Sequence, residues 1–145
     1  MQSHSIGETK VLEKAQMQNK CKAVIFDSNI LIAIEGKKAD VFSMARQLFG
    51  ERARFGVTRQ VLTELQELQG RGKTMQRGVK IALMALRKEK AKVIRVEARN
   101  ADDSLVEAAG KGYCIASNDM ALRKRIKGFG VAIIYLSKEK LLKVA

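Results

Sequence analysis

A chain of 145 residues, 46% of them hydrophobic, is long enough for one domain and composed to fill one core. No uncharged apolar run approaches the ~20 residues that cross a bilayer, and the N-terminus has no charged-then-apolar signal pattern; a cytoplasmic protein away from membranes is expected. The 28 Lys and Arg against 15 Asp and Glu leave a formal charge of +13, which in so small a domain points to a polyanion such as RNA.

Residues 1–20 are polar, with only Val11, Leu12, Ala15 and Met17 to pattern a short helix, and read as a leader. The domain is expected over residues 21–145. Cys21 and Cys114 form no CxxC and are too few for a disulfide framework or a zinc ribbon, so two buried reduced thiols are expected. The apolar run 23–26 predicts a buried strand ending at Asp27, followed by a short helix over 29–35. Asp40 caps a helix striped by Val41, Met44, Ala45, Leu48 and Phe49. A second strand follows at 54–58, then helices over 60–69 and 74–89 separated by Gly70 and Gly72. The third strand is expected at 93–96, a helix opening at Asp102 or Asp103, the fourth strand at 113–116, a helix capped by Asn118 or Asp119, and the fifth strand at 131–136. Five strands alternating with helices imply a three-layer α/β fold around a mostly parallel sheet.

Ligands of such sheets bind outside the carboxyl ends of the strands. Asp27 follows the first strand there, Asp102 and Asp103 follow the third after a loop, and Asp119 follows the fourth. Glu64 lies in the helix after the second strand, at the edge of the stripe Val61, Leu65 and Leu68. Clustered carboxylates repel one another unless a cation neutralises them. Hard oxygen donors select Mg²⁺ or Mn²⁺, one or two ions, which activate water and stabilise a phosphoryl group under attack. Singly, Asp103 and Asp119 are also good helix caps and Glu64 a good solvated helix residue; their shared rim is what favours chemistry.

The only histidine, His4, lies in the leader, which excludes histidine-pair, Ser–His–Asp and histidine–zinc chemistry. Neither a GxxxxGK[ST] loop nor a GxGxxG after a strand is present. Lys37 and Lys38 follow the Asp27 segment, and Arg123, Lys124, Arg125 and Lys127 follow Asp119, where they are candidate contacts to an RNA backbone.

The runs Val24-Ile25-Phe26-Asp27-Ser28-Asn29-Ile30-Leu31 and Val61-Leu62-Thr63-Glu64-Leu65 resemble the first two acidic motifs of PIN domains. The stretch from Asn100-Ala101-Asp102-Asp103-Ser104-Leu105-Val106 through Ile115-Ala116-Ser117-Asn118-Asp119 to Leu122-Arg123-Lys124-Arg125-Ile126 resembles the PIN nucleases of small-subunit ribosomal RNA maturation, and 130–136 continues the likeness. The resemblance implies a Rossmann-like sheet and a Mg²⁺ or Mn²⁺ site held by Asp27, Glu64, Asp103 and Asp119. Asn29 and Ser117 would stand beside the ligands. Asp102 is the additional candidate for the third position; the family spacing favours Asp103, with Asp102 as the helix cap. No proline precedes Glu64, where the family often has one.

The expected activity is endonucleolytic cleavage of single-stranded RNA to 5′-phosphate and 3′-hydroxyl ends, with a ribosomal RNA precursor as partner. A VapC-type toxin with a cognate antitoxin and a non-catalytic RNA-binding scaffold are the alternatives, and a homodimer is kept as a partner. A haloacid-type phosphatase would need an aspartate where Asn29 stands.

Overall fold

The computed structural model describes residues 21–145; the short helix sought within 1–20 lies outside the described residues. In chain order the elements are β1 Val24–Phe26, α1 Ser28–Gly36, α2 Val41–Phe49, β2 Phe55–Thr58, α3 Arg59–Leu68, a tight turn Gln69–Arg71, and α4 Lys73–Lys88. Then come β3 Lys92–Ile94, α5 Ala101–Gly110, β4 Cys114–Ala116, α6 Met120–Ile126, a tight turn Lys127–Phe129, β5 Ile133–Leu136 and β6 Leu142–Val144. No helix among the described residues is long and apolar enough to cross a membrane.

The sheet runs β3-β2-β1-β4-β5-β6, parallel except for β6. Right-handed crossovers in this order put α1 to α4 on one face and α5 and α6 on the other. The order reverses between β1 and β4, so a crevice opens at their carboxyl ends. Every residue of β1 and β4 is buried, which their uninterrupted apolar sequences require. Phe26, Phe42 and Phe55 pack together under the first face with ring centroids 4.8 to 5.7 Å apart. Gly56 is obligatory in β2, because a Cβ there would meet Ile25 Cδ1 at 2.8 Å and the Lys92 carbonyl at 3.0 Å.

Three expectations change. β6 is a sixth strand, an antiparallel edge pairing Leu136 with Leu142 after a turn; lysines around it conceal it in sequence, as charge on an edge strand does. β3 ends at Ile94 rather than 96, because Gln60 Nε2 donates to the carbonyls of Val96 and Ala98, at 2.9 and 2.7 Å, and draws the chain off the ladder. Cys21 and Cys114 are not separate thiols: β4 pairs with β1, Cys114 N donates to the Ala23 carbonyl, and the two sulfurs are bonded across Cα atoms 5.4 Å apart.

Candidate functional site

Asp27 stands at the end of β1 with only 4% of its surface exposed, and its extended backbone caps α1. Oδ1 accepts from the Ser28 N–H at 2.8 Å; Oδ2 accepts from the Ser117 hydroxyl at 2.6 Å and from Asn29 Nδ2 at 3.3 Å. Both carboxylate oxygens are thus held, from β1's own turn and from the turn after β4. Ser117 Oγ also accepts from the Asp119 N–H at 3.0 Å, which ties Asp27 to the next acid. Asp119 caps α6 by accepting from the Ala121 and Leu122 N–H groups at 2.9 and 3.2 Å. Asn118 Oδ1 accepts from Leu136 N at 2.7 Å and Nδ2 donates to the Leu136 carbonyl at 3.0 Å, so a side chain extends the β4–β5 pairing and steadies this turn.

Glu64 reaches the same crevice from α3, where the Ser28 hydroxyl donates to its Oε1. A buried hydroxyl pair fixes α3 against α5. Val61 N–H donates to Thr58 Oγ1 at 3.1 Å, and Ser104 Oγ donates to the Ala101 carbonyl at 2.6 Å. With the Ser104 proton used, the 2.8 Å bond between the two hydroxyls must run from Thr58 to Ser104.

The third motif differs from expectation. Asn100, not Asp102, caps α5, and its Oδ1 accepts from the Asp103 N–H at 2.8 Å. Asp102 is therefore helical, at the exposed start of the flank that carries Leu105, Val106 and Ala109, where the charges of Asp119 and Glu64 reach it. Asp103 turns towards α6, where Arg125 donates to its Oδ1 at 2.7 Å and Asn100 Nδ2 to its Oδ2 at 3.3 Å.

The acids also act on one another through their charges. Burial pushes the Asp27 carboxyl above the usual aspartate value; the bonds from Ser117 and Ser28 oppose this, and the charges of Glu64 and Asp102 add to it. Asp102 is raised as well, first by loss of water, then by the charges of Asp119 and Glu64; Arg125 opposes this and Asp103 adds to it. Glu35, Glu89, Glu107 and Glu139 hold cationic partners, as Asp103 does. Asp27, Glu64, Asp102 and Asp119 form no ion pair with another described residue, and neither do Asp40, Glu51, Glu67 and Glu97; the first four differ in being linked by mutual charge and by the Ser28 and Ser117 hydroxyls. A crevice of unpaired carboxylates in so cationic a chain fits an external hard cation. In this arrangement no three acids among the described residues stand close enough to enclose one ion, so the crevice offers ligands rather than a finished cage.

The bases divide. Arg123 lays its guanidinium over the Tyr135 ring at 4.7 Å, and Arg125 is held by Asp103. Lys124 and Lys127 are exposed, Lys124 within α6 and Lys127 just past the end of it that is far from Asp119. Lys37 and Lys38 sit beyond the far end of α1, about 13 Å of helix from Asp27, and Lys38 pairs with Glu35 at 2.6 Å.

A family model described as a PIN-like domain matches residues 24–139, the whole span from β1 past β5. The chain belongs to the PIN-domain family. A curated relative, ribonuclease VapC9 of Archaeoglobus fulgidus, is 36% identical over 125 residues, covering 84% of this chain and 88% of the relative. The solved PIN-domain endonuclease Utp24 superposes with a TM-score of 0.68 at 23% identity, over 84% of this chain and 90% of that one, a likeness of fold. As in the PIN resemblance, Asp27, Glu64 and Asp119 meet at one rim. Ser28, Thr58, Gln60 and Ser104 escape motif reading, since each acts through a partner more than thirty residues away. Asn100 was recoverable: Asn-x-x-Asp is a capping-box spacing.

Proposed function

We propose that this PIN domain is a divalent-metal-dependent endoribonuclease that cleaves single-stranded RNA to 5′-phosphate and 3′-hydroxyl ends. The observation that carries the reading is the crevice of four carboxylates, Asp27, Glu64, Asp102 and Asp119, left without cationic partners among the described residues of a chain of charge +13. Asp102 takes the third position, and its neighbour Asp103 is held by Arg125 and Asn100. Mg²⁺ or Mn²⁺ bound there would lower the pKa of a water and neutralise charge on the phosphate. Asp27 is presented in one orientation by Ser117 and the Ser28 N–H, and Glu64 by the Ser28 hydroxyl. Asn29 and Asn118 stiffen the two turns, because Asn29 Oδ1 accepts from the Asn118 N–H at 3.3 Å. Lys124 and Lys127 lie where they can hold flanking phosphates.

The biological setting we propose is cytoplasmic ribosomal RNA processing, on the strength of the third-motif likeness. The named ribonuclease VapC9 favours a second reading, a toxin held by an antitoxin; a homodimer fits either. The test incubates purified full chain with labelled single-stranded RNA, with and without chelator, and restores Mg²⁺ or Mn²⁺. Cleavage that survives chelation overturns the metal reading. RNA cross-linked to the Asp27→Asn variant in its host then separates ribosomal precursors from toxin targets.

A further inference from the structure

The amino end of the sheet carries the opposite charge from the carboxyl end. Two contiguous hollows, of about 640 and 280 Å³, share Lys22, Ala23, Ala53 and Arg54 and form one groove below β1, β2 and β3. Its cations come from the segments that lead into three neighbouring strands: Lys22 before β1, Arg52 and Arg54 before β2, Lys90 and Lys92 at the start of β3. Its one acid, Glu89, is already bonded to Arg46 at 2.5 Å. Two other hollows are balanced: with Lys38 paired to Glu35 and Glu89 to Arg46, Lys88 faces Asp40 in one, and Arg77 is paired to Glu35 in another. Concavity and unbalanced positive charge therefore coincide at this groove and not in those two.

We propose that this groove is a second RNA-binding tract, which grips the backbone of a single strand at the end of the sheet away from the acidic crevice. The inference rests on the ribonuclease reading for the identity of the polyanion. Lys92, Arg54 and Lys22 line the larger hollow together from the starts of three neighbouring strands, staggered along the strand direction because Lys92 is level with Gly56 and Val24 with Phe55. A flexible polymer with one charge per repeat can follow such a staggered set of monovalent cations. Long, exposed side chains let each cation follow a phosphate. Tyr113 closes the groove beside β4 with Lys22 Nζ 5.6 Å above its ring, which places an aromatic surface next to the cations. The tract makes no contact with the reacting phosphate. It raises affinity for strands long enough to pass from one end of the sheet to the other and leaves short strands unaffected.

The test uses the full chain, because the groove is lined from Cys21 onward, at the first of the described residues. A triple variant, Lys22→Gln, Arg54→Gln and Lys92→Gln, is compared with a control that neutralises Lys80, Lys138 and Lys140. Fluorescence anisotropy in chelator, across a salt series, follows a labelled single-stranded RNA of about 20 nucleotides and one of about 5. Losing three phosphate contacts should lower the salt slope for the long RNA by about 2 and weaken it tenfold or more at low salt. The control and the short RNA should shift much less. Equal slopes in triple variant and control overturn the tract. Tighter binding of polyglutamate than of RNA, lost in the triple variant, also overturns it and makes the groove a site for an acidic protein. Cleavage of the short RNA is measured alongside. A parent that cleaves while the slopes stay equal refutes the tract alone, and a parent that never cleaves but loses long-RNA binding in the triple variant refutes the ribonuclease reading alone.

Discussion

The carboxyl and amino ends of this one sheet are built by different means. At the carboxyl end three of the four acids are held by named bonds: Asp27 by Ser117 and Ser28, Glu64 by Ser28, Asp119 by the first turn of α6. Thr58 and Ser104, both fully buried, lock α3 to α5 beneath them. At the amino end Lys22, Arg54 and Lys92 are exposed and have no ion pair with another described residue. Chemistry on a phosphate demands ligands placed within fractions of an ångström. Affinity for a backbone demands only charge within reach, and long flexible side chains supply it.

The largest expected effects break the carboxyl end. Asp27→Asn and Asp102→Asn should each slow cleavage at least about 100-fold, equivalent to about 2.7 kcal/mol of barrier. Asp103→Asn should remain within a few-fold of the parent, since that carboxylate serves Arg125 and Asn100. Single-turnover rates at saturating Mn²⁺ decide it; the reverse ranking of Asp102 and Asp103 would return the third position to Asp103.

Ser104→Ala sharpens the comparison by loosening the frame and leaving every acid in place. It strands the buried Thr58 hydroxyl and should cost about 1–3 kcal/mol of stability in denaturant melts. Lys92→Gln at the other end should leave the melt unchanged. An equal loss in both would mean that the hydroxyl pair carries no energy.

A third outcome concerns pH. Asp27 and Asp102 hold their protons more tightly in the folded chain than in the unfolded one. Protonation therefore favours the folded state, and this contribution fades as pH rises above the ordinary aspartate value of 3.8 towards the raised one. Asn mimics the protonated form. Metal-free Asp27→Asn should gain melting temperature over the parent as pH rises through that window, and Mn²⁺ should raise the parent but not the variant. A gap that does not change with pH would remove the repulsion argument.

The smallest effect should come from Arg125→Gln. Its pair with Asp103 is about half exposed on both sides, so stability should change by less than about 1 kcal/mol. Neutralising Lys124 and Lys127 should flatten the salt dependence of RNA binding at the crevice more than Arg125→Gln does.

Much of this molecule was legible in the order of its residues. Apolar runs of strand length end at Asp27 and before Ser117, and their complete burial at β1 and β4 follows from having no polar alternation. The parallel sheet and the shared rim of Asp27 and Asp119 followed from that, since helices between strands return the chain to the same end. Strand endings were less readable: β3 stops where Gln60, thirty-six residues away in sequence, captures the Val96 carbonyl.

What the tertiary structure alone decided is which way neighbouring polar groups face. Asp102 and Asp103 are adjacent and chemically equal in sequence; Asn100 at the helix start and Arg125 on the next helix engage Asp103 and leave Asp102 without either bond. Lys37 and Lys38 follow Asp27 closely in sequence, yet one helix length carries them out of reach of it. The pairing of Cys21 with Cys114 and the basic cluster of Lys22, Arg54 and Lys92 arise only because the parallel sheet brings four strand beginnings to one end. Local pattern records what each segment buries, a property of its own side chains. Which segments become neighbours is set by packing the whole sheet, and that information is spread over the entire chain.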